Sequence, residues 1–583
     1  MRRRTLLKYL GLSSLAAIAE TKGLHAQSPV TGPPTAVLSQ IGYAPHWRKI
    51  STLPASNAAK TFRIAAESDL THSVFEAPVS APLTDILSGD SVVLADFSSL
   101  TRPGKYRLLS GQLKSDPFPI DASSCTEALR TAMLGFHGQR CGTKVTIGPY
   151  HHAACHANGA YHATSGKTGP FANTGGWHDA GDYGRYIVNS GISTGTLFWA
   201  WELYPHQLIK LHLDIPESGG KIPDYLAEVR WNLAWMLSLQ DSDGGVWHKQ
   251  TSEQFCAFIM PEQDALTSYV IGTGSEPYKS TCATADLASV AAIAARCYAP
   301  YDPAFAQQCL EAAKKAWKWA QANPNVLFDN PKGINTGGYG DNNCSDELLW
   351  ASAELWRTTG EAQYEQAFLA AATLQPAVIA RGSRWVPGFN WVAPMAYWTW
   401  LLSDRKSTNP SQAAPLRAQI IEQTLQAAQA LADRGDAGGY GTTMAPEQYN
   451  WGSNGTAANQ SLLLLIADHI QSTPRFREAS LGNLHYLLGR NCFGVSWVTG
   501  VGTNPFQHPH HRPSAADGID APWPGLLSGG PNAHPADTVA RTVPKQPPMR
   551  MWIDDQRAYS MNEIAINWNA PLVFLLAAAC SLT

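Results

Sequence analysis

Asp179 and Asp182 stand three residues apart in Gly175-Gly176-Trp177-His178-Asp179-Ala180-Gly181-Asp182-Tyr183-Gly184. At the entrance to a helix, both can project toward one point. Ala180 and Gly181 leave room for water between them, and a helix N-terminus favours the ionised carboxylate. That is the state a general base requires. The plainer alternative for such a pair is an N-cap aspartate with a solvated neighbour. Glu563, in Met561-Asn562-Glu563-Ile564-Ala565-Ile566-Asn567-Trp568, is expected to open an apolar C-terminal helix. To serve as a general acid it must keep its proton near neutral pH, so burial or nearby carboxylates must oppose the helix dipole. Asp554 and Asp555 are the candidates in the same loop. Between the two acidic sites, His508-Pro509-His510-His511-Arg512 gathers hydrogen-bond donors suited to a hydroxyl-rich ligand, with a metal site as the competing reading.

Two further sets have metal-ligand chemistry. Cys141, Cys155, His156 and His178 make a two-Cys, two-His set of the kind zinc takes, with His151, His152 and His162 as alternative ligands. His178 adjoins Asp179, so a metal there would fix the acidic loop. Asp341, Asn343, Asp346 and Glu347 place dense oxygen donors at a helix entrance, which suits calcium; a capping cluster is the alternative.

These residues need elements to hold them. Residues 35–121 read as short strands broken by turn signals: Val37–Ile41, Thr61–Ile64, Ser91–Phe97 and Tyr106–Leu109, with Ser88-Gly89-Asp90 and Pro103-Gly104 before the last two. This predicts a small β-sandwich. From residue 122 the period becomes helical. Apolar stretches recur near 126–139, 187–204, 223–239, 282–298, 304–321, 345–358, 362–375, 393–403, 414–433, 456–470, 474–488 and 563–581. Twelve helices can pair into six hairpins and close as an (α/α)6 barrel. The long loops 142–178 and 489–561 are where the chemistry is expected.

At the N-terminus, Arg3-Arg4-Thr5-Leu6-Leu7-Lys8 precedes an apolar run from Tyr9 to Ala19 and then Leu24-His25-Ala26. That pattern predicts a twin-arginine-like signal peptide over residues 1–26, too short to span a membrane, and hence a periplasmic or secreted chain. No other segment reaches spanning length, so no membrane contact is expected after cleavage. Twin-arginine substrates fold before export, in a reducing compartment, so most of the ten cysteines, Cys282, Cys297, Cys309, Cys344 and Cys580 among them, are expected as buried thiols. A net charge of −3 with 15% charged residues gives no basic excess for nucleic acid and no acidic tail. Twenty Trp and twenty Tyr are ordinary core material, but the surplus also suits sugar binding, since a pyranose C–H face packs on an indole ring.

The motifs together resemble glycoside hydrolase family 9. Gly175-Gly176-Trp177-His178-Asp179-Ala180-Gly181-Asp182 is similar to its aspartate motif, and Ser496-Trp497-Val498-Thr499-Gly500, running to His510-His511-Arg512, to its histidine signature. Trp552-Ile553-Asp554, Tyr559, Glu563, Ala565, Asn569 and Ala570 match its glutamate signature. Gln40-Ile41-Gly42-Tyr43 and Ala95-Asp96-Phe97-Ser98 resemble the immunoglobulin-like module that precedes some of these catalytic domains. The resemblance implies an inverting endo-β-1,4-glucanase, with Asp182 as base, Asp179 holding the water and Glu563 as acid. Inversion requires about 6.5–9.5 Å between base and acid. His510 and Arg512 then contact the sugar at the scissile bond with Tyr559 close by, and Trp451 and Trp391 are aromatic platforms. Some relatives with this module carry a structural zinc, and the Asp346-Glu347 pair resembles the family's calcium loop. A further calcium ligand of the family, an Asp after a Trp, is replaced here by Val392-Ala393. An exo-acting glycosidase on short oligosaccharides is the second reading, and a non-catalytic glycan-binding protein the third. A monomer is expected.

Overall fold

The computed structural model describes residues 33–172, 175–374, 379 and 386–583. The leader segment lies outside these residues.

The N-terminal module is an antiparallel sandwich. β1 (Ile50–Pro54) pairs with β5 (Ser91–Asp96), which also pairs with β4 (Leu83–Thr84). The facing sheet runs β3 (Asp69–Pro78), β2 (Thr61–Ala66), β6 (Gly104–Ser110), β7 (Leu113–Lys114), and β8 (Phe118–Ile120) also pairs with β6. Alternation decides the two faces of β2 and β6, as in Phe62 and Ile64 or Tyr106 and Leu108, whose side chains are buried between the sheets. Gly89 sits at φ +76° in the turn before β5, a conformation glycine takes without Cβ strain.

The Val37–Ile41 strand is not formed: Val37 makes an isolated bridge to Thr52. Gln40 instead reaches the helical domain, accepting from Thr503 and Asn504 N at 2.9 and 2.8 Å and donating to Gly494 O at 2.9 Å. β1, buried at every position, and β3, mostly exposed, lack the alternation that would have announced them.

All twelve expected helices form: α1 (Thr126–Gly138), α2 (Ile187–Leu203), α3 (Asp224–Ser238), α4 (Thr281–Tyr298), α5 (Pro303–Ala322), α6 (Ser345–Thr359), α7 (Ala362–Leu374), α8 (Ala393–Leu401), α9 (Pro410–Ala437), α10 (Ser453–Ile470), α11 (Pro474–Leu487) and α12 (Ile566–Ser581). Even-numbered helices form the inner ring: α2 packs on α4, α4 on α6, α6 on α8, α10 on α12, and α12 back on α2. Their sequences say why. α8 is buried at all nine positions, and the run from Asn569 to Cys580 in α12 is buried throughout. The outer helices are one-sided, as in α5, where Phe305, Cys309, Ala312, Ala316 and Trp319 face inward at helical spacing. Asp302 caps α5 by accepting from Phe305 N at 3.0 Å, with Pro303 at the first helical position. The fold is a small immunoglobulin-like sandwich followed by an (α/α)6 barrel. Among the described residues, no helix is long and apolar enough to cross a membrane.

Two cysteine pairs correct the buried-thiol expectation. Cys125, at the start of α1, bonds Cys580 near the end of α12, and Cys282 in α4 bonds Cys344 just before α6. Packing of α1 on α12 and of α4 on α6 brings together residues 455 and 62 positions apart, which no local spacing reveals. Cys297 and Cys309 are buried free thiols, as expected, and Cys492 is another; Cys141 and Cys155, expected as metal ligands, are buried outside any disulfide.

The module braces the long loop that ends at Glu563. Arg550 donates to Asp90 Oδ1 at 2.5 Å and Met549 N donates to Leu87 O at 2.9 Å. Asp90 also accepts from Tyr440, so this buried ion pair is fully partnered.

Candidate active site

The aspartate motif is a bent loop between α1 and α2, and α2 begins only at Ile187. Helix-dipole support for Asp182 is therefore not what holds it. The loop is pinned by backbone and amide hydrogen bonds: His178 N to Gln139 O at 2.7 Å, Asp179 N to Gly184 O at 2.9 Å, and Gln139 Nε2 to the carbonyls of His178 and Ala180 at 3.0 and 2.8 Å. Gln139 also meets His511 Nε2 at 3.0 Å, joining the aspartate and histidine motifs. Gly181 is needed for close approach rather than for water, because a Cβ there would lie 1.8 Å from His510 O.

Glu563 also departs from expectation. It follows a short helix, Tyr559–Asn562, in extended conformation (φ −60°, ψ 150°), three residues before α12. Its carbonyl accepts from Gly529 N at 2.7 Å, and it bridges His510 in parallel register. No helix dipole has to be opposed there. Burial pushes its carboxyl well above the usual range, with Asp182 and Asp179 adding to the rise, while Arg512 and a hydrogen bond with Trp451 lower it. Asp554 and Asp555 are occupied elsewhere. Asp554 accepts from Gln507 and His508 N, both at 2.9 Å, and Asp555 pairs with Arg557 at 2.6 Å.

Asp179, Asp182 and Glu563 line one cleft of about 450 Å³ together with Tyr186, Tyr339 and Trp451. Asp179 is buried, and burial raises its carboxyl to about 7 against the opposing hydrogen bonds from Tyr339 and Asn189. Asp182 accepts from Gly184 N at 2.8 Å. A protonated carboxyl, a second carboxylate and a third that is doubly hydrogen-bonded, in one cleft, can donate a proton and activate a water in the same event.

The expected sugar contacts divide. Trp451 is 46% exposed in the cleft, its ring centroid 5.4 Å from that of Tyr559. Trp391, only 6% exposed, packs into the core, while Phe389, Phe255 and Trp568 line the cleft. His510 Nδ1 lies 2.8 Å from Gln556 O. Arg512 donates to Gly181 O at 2.8 Å and to Cys256 O at 3.0 and 3.2 Å, so it ties three loops together. Tyr339, Asn189, Gln139 and Phe255 were missed by sequence reasoning. The glycines around Tyr339, at φ +45° itself, were the one available signal.

The Cys141, Cys155, His156 and His178 ligand atoms all lie within 4.8 Å of one another and are buried. Cys141 Sγ is 3.6 Å from His156 Nδ1, and Cys155 Sγ is 3.9 Å from both Cys141 Sγ and His178 Nε2. A tetrahedral ion with zinc-like bonds has ligand–ligand edges of about 3.3–3.8 Å, so this set fits a metal. Asp264 Oδ2, 3.4 Å from His156 Nε2, stands as the outer carboxylate. His151, His152 and His162 lie outside the cluster; His152 Nδ1 is 2.7 Å from Ala153 O and His162 Nδ1 is 2.8 Å from Thr164 Oγ1.

The calcium set is not gathered in the same way. Asn343 is exposed and accepts from Ser345 N at 3.1 Å, as a cap does. Asp346 accepts from Val392 N at 2.7 Å. The buried oxygens of Glu347 and of Asp286, a residue that sequence reasoning missed, have no hydrogen-bond partner among the described residues, and burial, with the charges of Asp346 and Asp341 adding to it, pushes both carboxyls up. Oxygen-only donors of this kind suit a hard cation, with Asp286 in place of Asn343.

The description "Glycosyl hydrolase family 9" matches residues 126–576, and "Cellulase N-terminal ig-like domain" matches residues 32–115. The chain belongs to glycosyl hydrolase family 9. Endoglucanase D of Acetivibrio thermocellus is 37% identical to it over 551 residues, covering 93% of this chain and 82% of that one. Among solved structures, a D468A single mutant of a thermostable endoglucanase from Alicyclobacillus acidocaldarius superposes with a TM-score of 0.85 at 31% identity, over 94% of this chain and 100% of that one. A zinc-binding triple mutant of the family 9 endoglucanase J30 gives 0.84 at 31% identity, over 92% and 99%. This family 9 chain is a glycoside hydrolase, and its cleft carboxylates lie on the motifs that the sequence singles out.

Proposed function

We propose that the protein is an exported endo-β-1,4-glucanase that cleaves by single displacement. The observation that carries this reading is the convergence of Asp179, Asp182 and Glu563 in one aromatic-lined cleft, with Glu563 held protonated by burial and by its neighbours' charge. Glu563 protonates the leaving oxygen, Asp182 takes a proton from the attacking water, and Asp179 positions that water. Trp451 offers a flat ring to a pyranose beside Glu563.

Zinc is the metal proposed for Cys141, Cys155, His156 and His178. Its contribution is structural: it joins the aspartate loop, through His178, to the segment around Cys155. Calcium is proposed for the pocket of Asp286, Asp341, Asp346 and Glu347, supported by the bare buried oxygens of Asp286 and Glu347 and by the proximity of the other two carboxyls. A twin-arginine-like leader and a monomeric mature enzyme complete the reading.

The test of internal cleavage is viscosity against new reducing ends on carboxymethyl cellulose. An endo-acting enzyme collapses viscosity while few ends have formed. Parallel, slow change in both would assign exo action instead.

A further inference from the structure

Few large apolar side chains are exposed among the described residues, and three of them are aromatic: Phe255 at 48%, Phe258 at 37% and Trp451 at 46%. All three stand at the active site. Trp451 lines the main cleft with Glu563, whereas Phe255 lines both that cleft and a small recess shared with Asp182. Phe258 continues the apolar surface, its ring edge-on to His510 with centroids 5.0 Å apart.

The two phenylalanines sit on a loop with little secondary structure, yet it is tied down at several points. Arg512 donates twice to Cys256 O and places its guanidinium 5.7 and 5.1 Å from the two ring centroids. Tyr183 of the aspartate motif donates to Ile259 O at 2.5 Å. Asp264 meets the metal-cluster residue His156. Asn335 N donates to Glu253 O at 2.7 Å. A loop anchored from four directions holds its rings in place before any ligand arrives, so little ordering is left to oppose binding.

We infer that Phe255 and Phe258 form a second sugar platform, on the Asp182 side of the cleft, which together with Trp451 lets the site grip a β-1,4-glucan chain on both sides of the carboxylates. The inference rests on the glucanase reading above. Leaving two phenyl faces in water is unfavourable, and the axial C–H faces of a β-linked glucose unit match them in size and in charge, since the ring face is the negative part of the quadrupole. Phenylalanine offers no hydrogen bond, so this platform supplies affinity along the chain without selecting a particular hydroxyl pattern. Continuity with the cleft through Phe255 fixes the occupant as the same glycan that meets the carboxylates.

The test compares cellohexaose and cellotriose with the full-length enzyme. Removing both rings, in the Phe255→Ala/Phe258→Ala variant, is expected to lower kcat/KM on cellohexaose by about tenfold, mainly through KM, with a smaller loss on cellotriose. Phe255→Tyr/Phe258→Tyr is expected to restore most of it. Phe255→Ala alone, which does not disturb the His510 contact, should show the same length dependence in reduced form. No loss, or an equal loss at both lengths, overturns the platform. Wild-type enzyme that fails to cleave either oligosaccharide overturns the glucanase reading itself, a result distinct from both.

Discussion

Tyr339 donates its phenolic hydrogen to Asp179 Oδ2 at 2.5 Å, while Asn189 donates to the other oxygen at 2.7 Å. Both bonds favour the ionised carboxylate against a burial that raises it to about 7. Tyr339→Phe removes one of them, so the Asp179 carboxyl rises further and the ionised fraction at neutral pH falls. The acidic limb of the kcat/KM profile is expected to move to higher pH, with kcat at pH 6 down by about tenfold. An unmoved limb would separate Asp179 from the chemistry.

Glu563 gives the opposite limb. Its carboxyl is raised, so it stays protonated through neutrality, and activity is lost as pH climbs through its pKa. Glu563→Ala is expected to lower kcat on cellooligosaccharides by about 10²–10⁴-fold and to abolish the alkaline limb. A 2,4-dinitrophenyl cellobioside, whose leaving group needs no proton, should lose far less. Equal losses on both substrates would deny Glu563 the acid role. The same shift has a stability consequence. A carboxyl raised in the folded state favours folding below its unfolded pKa, and that contribution is lost as pH rises toward the folded pKa. Glu563→Gln is therefore expected to raise Tm more at pH 7 than at pH 4.

Gly181 tests the joint between the two motifs. A methyl group there would meet His510 O at 1.8 Å, and backbone cannot give way as a flexible side chain can. Gly181→Ala is expected to cost about 2 kcal/mol or more of stability and at least 100-fold in kcat, because the aspartate and His510 segments must separate. A variant with wild-type Tm and rate would show that the approach is not as close as described.

The metal cluster makes its own demand. Elemental analysis of the purified enzyme is expected to find about one zinc per chain, and Cys155→Ser to lose both the metal and several kcal/mol of stability. Enzyme free of zinc yet fully stable would remove the metal from the account.

The helices were legible because an inner helix needs long apolar runs and an outer one a single stripe, and both patterns survive in sequence. Catalytic positions were legible through motif residues, but their surroundings were not. Asp182 and Glu563 were expected at helix entrances, and both lie in loops, one bent and one extended, whose conformation is set by Gln139, His510 and Gly529, partners remote in sequence. Trp391 was expected in the cleft from its resemblance to the family's aromatic platforms, and burial took it into the core while Phe389, two residues earlier, lines the site. Burial of Asp286 beside Glu347 depends on α4 lying against α6, which only the closed barrel supplies.

The most direct measurement is the anomeric configuration of the first product. Proton NMR of cellooligosaccharide hydrolysis, read before mutarotation, reports the face from which water attacks. With Asp182 activating water opposite the leaving group and Glu563 donating the proton, the new reducing end must appear as the α-anomer. An initial β-anomer would mean double displacement through a covalent sugar–enzyme intermediate, and would contradict the roles assigned to both residues.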